Sequence, residues 1–288
     1  MIHRSILHND EIHGASDKVL APGQVGLLAG WGVFTTLRVK DGVLFAFERH
    51  WARMSRDAAL LRVALPTDSE AVHRDLLKLV EANHAHNSTM RLVVVRNVGG
   101  MWEAAGNHPS DVIALTADLK EWSASVRLTY VPQGRHAASR FAGVKMTSWA
   151  MNLTCLEEAQ GKGFDEVILL NERGEIAECT SANVFAAQGN QIWTPPLSAG
   201  CLPGVTRDLL LHEVRVPGFE IREKTLLPAD LAAADEVFIT STTRGLLPVF
   251  EIDQTRLRHE GQAQEALQKE FTAYVEKYVA EHRAPVRA

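Results

Sequence analysis

The residues best suited to chemistry are one isolated lysine and several groups that bind anions. Lys145 lies in a strand-like stretch that has almost no acidic residue to pair with it. Its amine is therefore either at the surface or buried with a lowered pKa. Pro203-Gly204-Val205-Thr206 would place two backbone N–H groups and a hydroxyl at a helix start, where the helix dipole favours an anion. The hydroxyls of Ser241-Thr242-Thr243 follow a predicted strand and could bind an anion in the same way.

Three arginines could neutralise such an anion. Arg49, Arg53 and Arg56 share one face of a predicted helix, beside its apolar face. Each signal also has a plain structural interpretation, because arginines on one face are usually solvated and a helix start is often only capped. The residues alone thus indicate a candidate anion site and leave its ligand open.

Other catalytic signatures are absent from the sequence. There is no P-loop, no G-x-S-x-G and no H-E-x-x-H pattern. Gly30-x-Gly32 lacks the third glycine of a dinucleotide site, and His84-x-His86 is better explained as a solvated helix end than as a metal site. The three cysteines have no C-x-x-C spacing, which predicts neither a disulfide framework nor a zinc site. We therefore expect no metal.

The composition is that of a globular protein with a full core. The chain has 288 residues, 46% of them hydrophobic, and a formal net charge of -5. This acidic balance argues against a nucleic-acid partner, since nucleic-acid binders usually carry a basic stripe. No apolar run approaches the roughly 20 residues of a membrane span. The first residues lack the apolar region of a secretory signal, so we expect a cytoplasmic protein.

The elements that must position these residues alternate between strands and helices. Strand-like residues at 33–39, the turn Asp41-Gly42 and the return at 43–46 predict a hairpin. Apolar residues from Phe47 to Leu61 recur at spacings of four and three, which predicts a helix. Further strands are predicted at 90–95, 112–117, 126–131, 166–170, 176–178, 182–187, 191–194 and 236–240, and further helices from 68 or 69 to about 80, at 153–160, from 205 onward and at 262–281.

This succession predicts two domains with largely antiparallel strands. The segment DLKEWSAS, at 118–125, interrupts the pattern. The predicted limits are a small N-terminal domain at 1–119, a linker at 120–125 and a larger C-terminal domain at 126–288.

The most specific signal is a series of motifs in a fixed order. After Lys145 come Glu158-Ala159, the strand DEVILL at 165–170, the stretch ECTSANVF at 178–185 and LPGVTR at 202–207. In this order the chain resembles the class IV aminotransferases, the fold-type IV pyridoxal-phosphate enzymes. That family includes branched-chain and D-amino-acid aminotransferases and aminodeoxychorismate lyase.

The resemblance implies an α+β fold with a small N-terminal domain, a larger C-terminal domain that carries the lysine, and an active site between them. Pyridoxal 5'-phosphate would be the cofactor, bonded to Lys145, which would also act as general acid and base. Glu178 would keep the pyridine nitrogen protonated, so that the ring can accept electrons. The phosphate would be held by Arg53, within an H-x-x-R motif, and by Val205, Thr206 and Thr242.

Two stretches depart from the family pattern and alter the substrate pocket. Ser148-Trp149 stands where many relatives have Asn or His followed by Tyr, and Trp31 and Thr35 stand where relatives have acids. Trp31 and Phe34 would be either apolar pocket walls, which suit an aliphatic or aromatic amino acid, or simple core residues.

The substrate carboxylate needs a cation or a pair of N–H groups. Candidates are Arg38, Arg91, Arg96 and the backbone at Thr242-Thr243. Arg91 and Arg96 are an odd number of positions apart, so a regular strand points them to opposite faces and at most one faces the pocket.

We therefore expect an enzyme that moves an amino group between an amino acid, either branched-chain or D-, or a related amine, and a 2-oxo acid. Two alternatives stay open. Phe34-Thr35-Thr36 and Glu178-Cys179 resemble some aminodeoxychorismate lyases, which release pyruvate and 4-aminobenzoate, and a cofactor-binding paralogue without turnover would keep the same fold. By resemblance the protein would be a homodimer with shared active sites.

Overall fold

A six-stranded sheet and three helices organise the N-terminal residues. The computed structural model describes residues 1–21, 23–99, 108–258 and 261–283. The elements of this first part are β1 (Ile2–His8), β2 (Glu11–Gly14), α1 (Val25–Ala29), β3 (Gly32–Lys40), β4 (Val43–Leu44), α2 (Phe47–Leu61), α3 (Ser69–Ala82), β5 (Ser88–Arg96) and β6 (Ser110–Ala117). The strand order is β2-β1-β6-β5-β3-β4, and these neighbours pair antiparallel.

Strand alternation decides which side chains of this sheet reach the core. Val33 and Leu37 of β3 are buried in one hydrophobic cluster with Met54 of α2. Successive side chains of a strand point to opposite faces, so Phe34 and Arg38 lie on the other face of β3. Thr35, by contrast, lies on the same face as Val33 and Leu37, towards α2.

The connection from β3 to α2 differs slightly from the predicted one. Asp41 and Gly42 both have positive φ, 51° and 81°, as a type I′ hairpin turn requires. The returning strand is shorter than predicted, only Val43–Leu44, because Ala46 has φ 53° and forms the N-cap of α2. The predicted helix over Phe47–Leu61 is confirmed.

A nine-stranded sheet organises the second part of the chain. Its elements are β7 (Val126–Val131), α4 (Ala150–Gly161), β8 (Glu166–Leu170), β9 (Ile176–Cys179), β10 (Asn183–Gln188), β11 (Gln191–Thr194), a 3-10 turn (Leu197–Ala199), α5 (Val205–His212), β12 (Glu220–Glu223), α6 (Pro228–Ala233), β13 (Glu236–Ser241), β14 (Gly245–Ile252), β15 (Thr255–Arg256) and α7 (Ala263–His282). The order is β12-β11-β10-β13-β14-β7-β8-β9, with β15 beside β14. Three pairs, β11–β12, β14–β7 and β7–β8, are parallel. The fold is α+β, as predicted.

The chain divides into two units. Unit 1 comprises Met1–Lys120, Lys145–Trp149 and Val275–Ala288, and unit 2 comprises Glu121–Val144 and Ala150–Tyr274. The sequence prediction assigned Lys145 to the second domain, whereas the structure groups its segment with unit 1, because it is hydrogen-bonded along β3. The predicted division into functional domains at 1–119 and 126–288, with a linker at 120–125, stays a prediction.

Neither a membrane-spanning helix nor a metal-binding cluster is present among the described residues. Within the four described ranges, no helix has the length and apolar character needed to cross a membrane. The same residues include no cluster of three or more His, Cys, Asp or Glu side chains arranged to bind a metal ion.

Candidate active site

The predicted catalytic lysine is held against β3 as a short additional strand. Met146 forms an antiparallel bridge with Val33. The Phe34 N–H donates to Lys145 O at 3.1 Å, and the Thr147 N–H donates to Gly32 O at 3.0 Å. The sequence left open whether this lysine lies at the surface or is buried. In the structure its main chain is part of the sheet and the residue is partly buried.

Lys145 and the side chains linked to it, directly or through α2, form what we call the lysine cluster, made of Phe34, Thr35, His50, Arg53, Asp57, Arg91, Lys145 and Trp149. The Lys145 Nζ lies 4.6 Å from the centroid of the Phe34 ring and 5.9 Å from that of Trp149. The Arg91 guanidinium lies at 4.7 Å and 5.9 Å from the same rings. Two cations therefore share one pair of aromatic rings, which attract positive charge electrostatically.

A second part of the lysine cluster connects α2 to β3. Arg53 Nη2 donates to Thr35 Oγ1 at 2.8 Å, and the same oxygen lies 2.7 Å from His50 Nδ1. Complete burial, together with the charges of Arg53 and Lys145, lowers the pKa of His50 well below its usual value. His50 is therefore neutral, and it ties the phosphate-binding candidate Arg53 to the strand through Thr35.

Sequence analysis missed one member of the lysine cluster. Asp57 lies one helical turn beyond Arg53 on α2, is buried, and accepts a hydrogen bond from the Lys145 N–H. The i, i+4 spacing from Arg53 puts both side chains on one helix face, and this spacing is the signal that could have found it.

The predicted pocket residues Trp31 and Arg96 make other contacts. The Trp31 indole N–H donates to Leu61 O at 2.7 Å, and the Arg96 guanidinium stacks on this indole at 4.2 Å. Arg96 Nη1 also donates to Arg62 O at 2.6 Å. These contacts occupy both side chains in holding the end of α2.

Arg38 and Arg91 share a face of the sheet. Arg91 pairs with Thr36 across β3 and β5, and Arg38 is two residues further along β3, so both lie on the Phe34 face. Partial desolvation lowers the pKa of both arginines. The Arg38 Nε is buried and has no hydrogen-bond partner among the described residues.

Unit 2 carries further predicted site residues. Together with their partners we call them the glutamate cluster, made of Arg135, Glu178, Asn183, Leu202, Gly204, Val205 and Thr206. Glu178, near the end of β9, is buried, and its Oε1 accepts from Arg135 Nε at 2.9 Å. Its Oε2 accepts from the Leu202 N–H at 3.0 Å. A cation and a backbone donor thus fix the carboxylate, and sequence analysis did not identify Arg135 because it lies 43 positions away.

The N-terminus of α5 has no side-chain cap and could bind an anion. Gly204 is the N-cap, and no side chain caps this eight-residue helix. A Cβ at Gly204 would collide with Asn183 Oδ1, and Asn183 Nδ2 in turn donates to Leu202 O at 2.9 Å. Glycine is therefore required, and the N–H groups of Val205 and Thr206 are presented at the positive end of the helix.

The Thr242-Thr243 turn is braced from behind by a buried ion pair. Arg244 Nη2 donates to Glu166 Oε2 at 2.9 Å and to Ser181 Oγ at 2.9 Å. The Arg244 guanidinium lies 4.2 Å from the Trp122 ring, whose indole N–H donates to Thr243 O at 3.2 Å. The turn is thus held rigidly at the end of β13.

The sequence that carries these groups matches one known family. Residues 32–252 match the family model of class IV amino-transferases. The chain belongs to this family. It is a pyridoxal-phosphate-dependent aminotransferase, as predicted from the sequence.

Individual relatives agree with this assignment. D-alanine aminotransferase of Bacillus licheniformis is 28% identical and is aligned over 86% of this chain and 88% of its own length. Branched-chain-amino-acid aminotransferase of Pseudomonas aeruginosa is 26% identical over 84% and 83%. The solved branched-chain aminotransferase of the archaeon Thermoproteus uzoniensis, with norvaline, superposes with a TM-score of 0.87 at 23% identity and covers 96% of this chain and 98% of its own.

The residues present fit the cofactor of this class. Pyridoxal phosphate combines an aldehyde, a pyridine nitrogen and a phosphate dianion. The lysine cluster contains an amine and the Arg53 guanidinium, and the glutamate cluster contains a fixed carboxylate and an uncapped helix start. The donor set therefore has one suitable group for each functional part of the cofactor.

Proposed function

We propose that this enzyme transfers an amino group from an amino acid to a 2-oxo acid, with Lys145 as the group that bonds the cofactor and moves the proton. The observation that carries the proposal is the position of the Lys145 amine, over the Phe34 ring that Arg91 also contacts, in the family-matched segment. When bound, the cofactor supplies an electrophilic aldehyde and a ring that withdraws electrons from the substrate α-carbon.

Lys145 would act twice in this reaction. Its amine is first the covalent anchor and, once displaced by the amino donor, the base that takes the α-proton. The neutral form of this amine is the one that accepts a proton.

Glu178 would hold the proton on the pyridine nitrogen. The carboxylate is fixed by Arg135 and by the Leu202 N–H, and each of its oxygens has a further lone pair for another donor. Its negative charge would stabilise a positive ring nitrogen.

The candidate phosphate ligands are the Arg53 guanidinium, the N–H groups of Val205 and Thr206 at the helix start, and the Thr242 hydroxyl of the braced turn. A guanidinium, a helix dipole and hydroxyl donors together suit a dianion.

Arg91 is our choice for the substrate carboxylate. Of the three candidate arginines, Arg96 is held by Trp31 and by the carbonyl of Arg62. Arg91 lies within reach of the same rings as Lys145, and Arg38 lies on the same sheet face. Phe34 and Trp149 would form the aromatic wall of the pocket, and the backbone of Thr243 could add a further donor.

We also propose a homodimer and a cytoplasmic location. Exposed large apolar side chains support a second copy: Leu28 on α1 is 61% exposed and Met151 on α4 is 75% exposed. The molar mass in solution, from light scattering, tests the dimer directly.

The function is tested by the first half of the reaction. The holoenzyme is mixed with a panel of L- and D-amino acids and the visible spectrum of the cofactor is followed. Branched-chain amino acids or D-alanine, the classes that name the similar enzymes, are expected to bleach the lysine-bound form and leave 2-oxo acids. No spectral change with any amino acid contradicts the proposal, and pyruvate release from aminodeoxychorismate in its place assigns a lyase.

A further inference from the structure

A buried carboxylate of α2 contacts the main chain of the lysine. Asp57 is 1% exposed, and its Oδ2 accepts a hydrogen bond from the Lys145 N–H at 3.0 Å. Its Oδ1 accepts from Arg56 Nε at 2.9 Å. Burying a carboxylate costs free energy unless its oxygens are satisfied, and both oxygens have donors here.

This contact replaces a bond of the sheet. The Phe34 N–H donates to Lys145 O, and in such an antiparallel pair the two residues normally exchange both hydrogen bonds. The return bond would run from the Lys145 N–H to Phe34 O, but Asp57 accepts this donor. A hydrogen bond to an ionised carboxylate is stronger than one to a carbonyl. The orientation of the Lys145 backbone, and hence of its Cβ, is therefore set by α2.

The same helix face also fixes β3. His50, Arg53 and Asp57 are separated by three and four positions, so their side chains lie on one side of α2. The first two bond Thr35 and the third bonds Lys145. One helix thus holds both the phosphate-binding candidate and the reacting lysine.

We propose that Asp57 is a positioning residue for amino transfer. It holds the main chain of Lys145 and places a fixed negative charge beside a residue that gains and loses a proton. The inference rests on the proposed function, because it matters for catalysis only if Lys145 is the reacting amine. Removing the charge makes the protonated state of the lysine less favourable, and removing the acceptor frees its backbone.

Two variants separate charge from geometry. Asp57→Asn keeps the shape and an acceptor oxygen without the charge, and Asp57→Ala removes both. At saturating cofactor we expect kcat to fall about tenfold in Asp57→Asn and about 100-fold in Asp57→Ala, with KM for the amino donor within about threefold. The pH midpoint of the visible absorbance of the holoenzyme should move to lower pH in both. Asp75→Asn on α3, which breaks an exposed pair with Lys78, is the matched control and should change neither.

Amide hydrogen exchange of the holoenzyme measures the hydrogen bond between the Lys145 N–H and Asp57 independently of enzyme activity. The Lys145 amide is expected to be protected in the wild type and in Asp57→Asn, and to exchange at least about tenfold faster in Asp57→Ala. Because the wild type and the isosteric variant are informative by themselves, a misfolded Asp57→Ala does not prevent the test. A freely exchanging Lys145 amide in the wild type overturns the inference.

Borohydride labelling separates this inference from the proposed function. If the label lies on Lys145, and neither variant differs from Asp75→Asn in pH midpoint or in Lys145 amide exchange, Asp57 has no positioning role and the proposed function stands. If the label lies on another residue, the proposed function itself fails.

Discussion

The lysine cluster and the glutamate cluster hold charge in opposite ways. In the lysine cluster, the cations Lys145 and Arg91 lie against aromatic rings, and Arg53 donates to a hydroxyl. In the glutamate cluster, Glu178 is paired with Arg135, and on the same unit Glu166 is paired with Arg244. The contacts described for these three cations are with aromatic rings and a hydroxyl, whereas the carboxylates and guanidiniums of unit 2 pair with each other.

The difference predicts two kinds of variant. Substitutions of Lys145 and Arg53 in the lysine cluster should alter chemistry and ligand affinity with little effect on folding. Substitutions in the paired carboxylates and arginines of unit 2 should also destabilise the fold, because removal of one partner leaves a buried charge unpaired. The four predictions below test this contrast.

The largest effect is expected for Lys145→Ala. Turnover should fall by at least about 1,000-fold and the visible absorbance of the bound cofactor should disappear, because no other group replaces the reacting amine. Steady-state kinetics and the absorbance spectrum measure both. Lys78→Ala on α3, whose ammonium is exposed, is the control and should be unchanged. An active, yellow Lys145→Ala enzyme would contradict the assignment.

The next largest effect is on stability, for Arg244→Gln. Its partner Glu166 is 1% exposed, so the variant should lose about 3 kcal/mol in the free energy of unfolding, which is roughly 150-fold in the equilibrium constant. Urea unfolding followed by circular dichroism measures the loss. Arg222→Gln, which breaks an exposed pair at 3.9 Å, is the control. Equal urea midpoints for the two variants would show that the buried Arg244–Glu166 pair stabilises the fold no more than the exposed pair does.

A smaller effect on rate is expected for Glu178→Gln. A neutral amide cannot stabilise a positive ring nitrogen, and it leaves the Arg135 charge without its partner. We expect kcat to fall about 30-fold, with a lower melting temperature. Glu220→Gln on the exposed strand β12 is the control. An unchanged kcat would remove Glu178 from the proposed site.

The smallest effect is expected for Arg53→Ala. This variant should bind pyridoxal phosphate about tenfold more weakly, while kcat at saturating cofactor changes less, because in the proposed site Arg53 would bind the phosphate and not the reacting atoms. Fluorescence titration of the apoenzyme gives the dissociation constant. Arg74→Ala, an exposed arginine of α3, is the control. Unchanged affinity in Arg53→Ala would assign the phosphate to other groups.

Local patterns predicted much of the fold. The spacing of Phe47, Met54 and Leu61 gave the limits of α2, because apolar periodicity reports the face that a helix buries. The sequence analysis missed the hairpin of β1 and β2. These strands carry histidines and other polar residues and lack a clear apolar alternation, and Asn9 turns the chain with φ 56°.

The site could be predicted only where a motif marked it. Lys145 and Glu178 were predicted from family motifs, whereas Asp57 and Arg135 were not, because their partners lie 88 and 43 positions away. The spacing from Arg53 reports the helix face of Asp57, but the contacts of Asp57 and Arg135 depend on tertiary structure. The alternation of strand side chains predicted that Arg91 and Arg96 face apart, but their neighbours had to come from the structure.

Reductive trapping tests the central assignment most directly. The purified yellow holoenzyme is treated with borohydride, digested and mapped by mass spectrometry. The account predicts a single phosphopyridoxyl label, on the peptide that contains Lys145. A label on any other lysine, or no label on a protein that retains its cofactor, would contradict it.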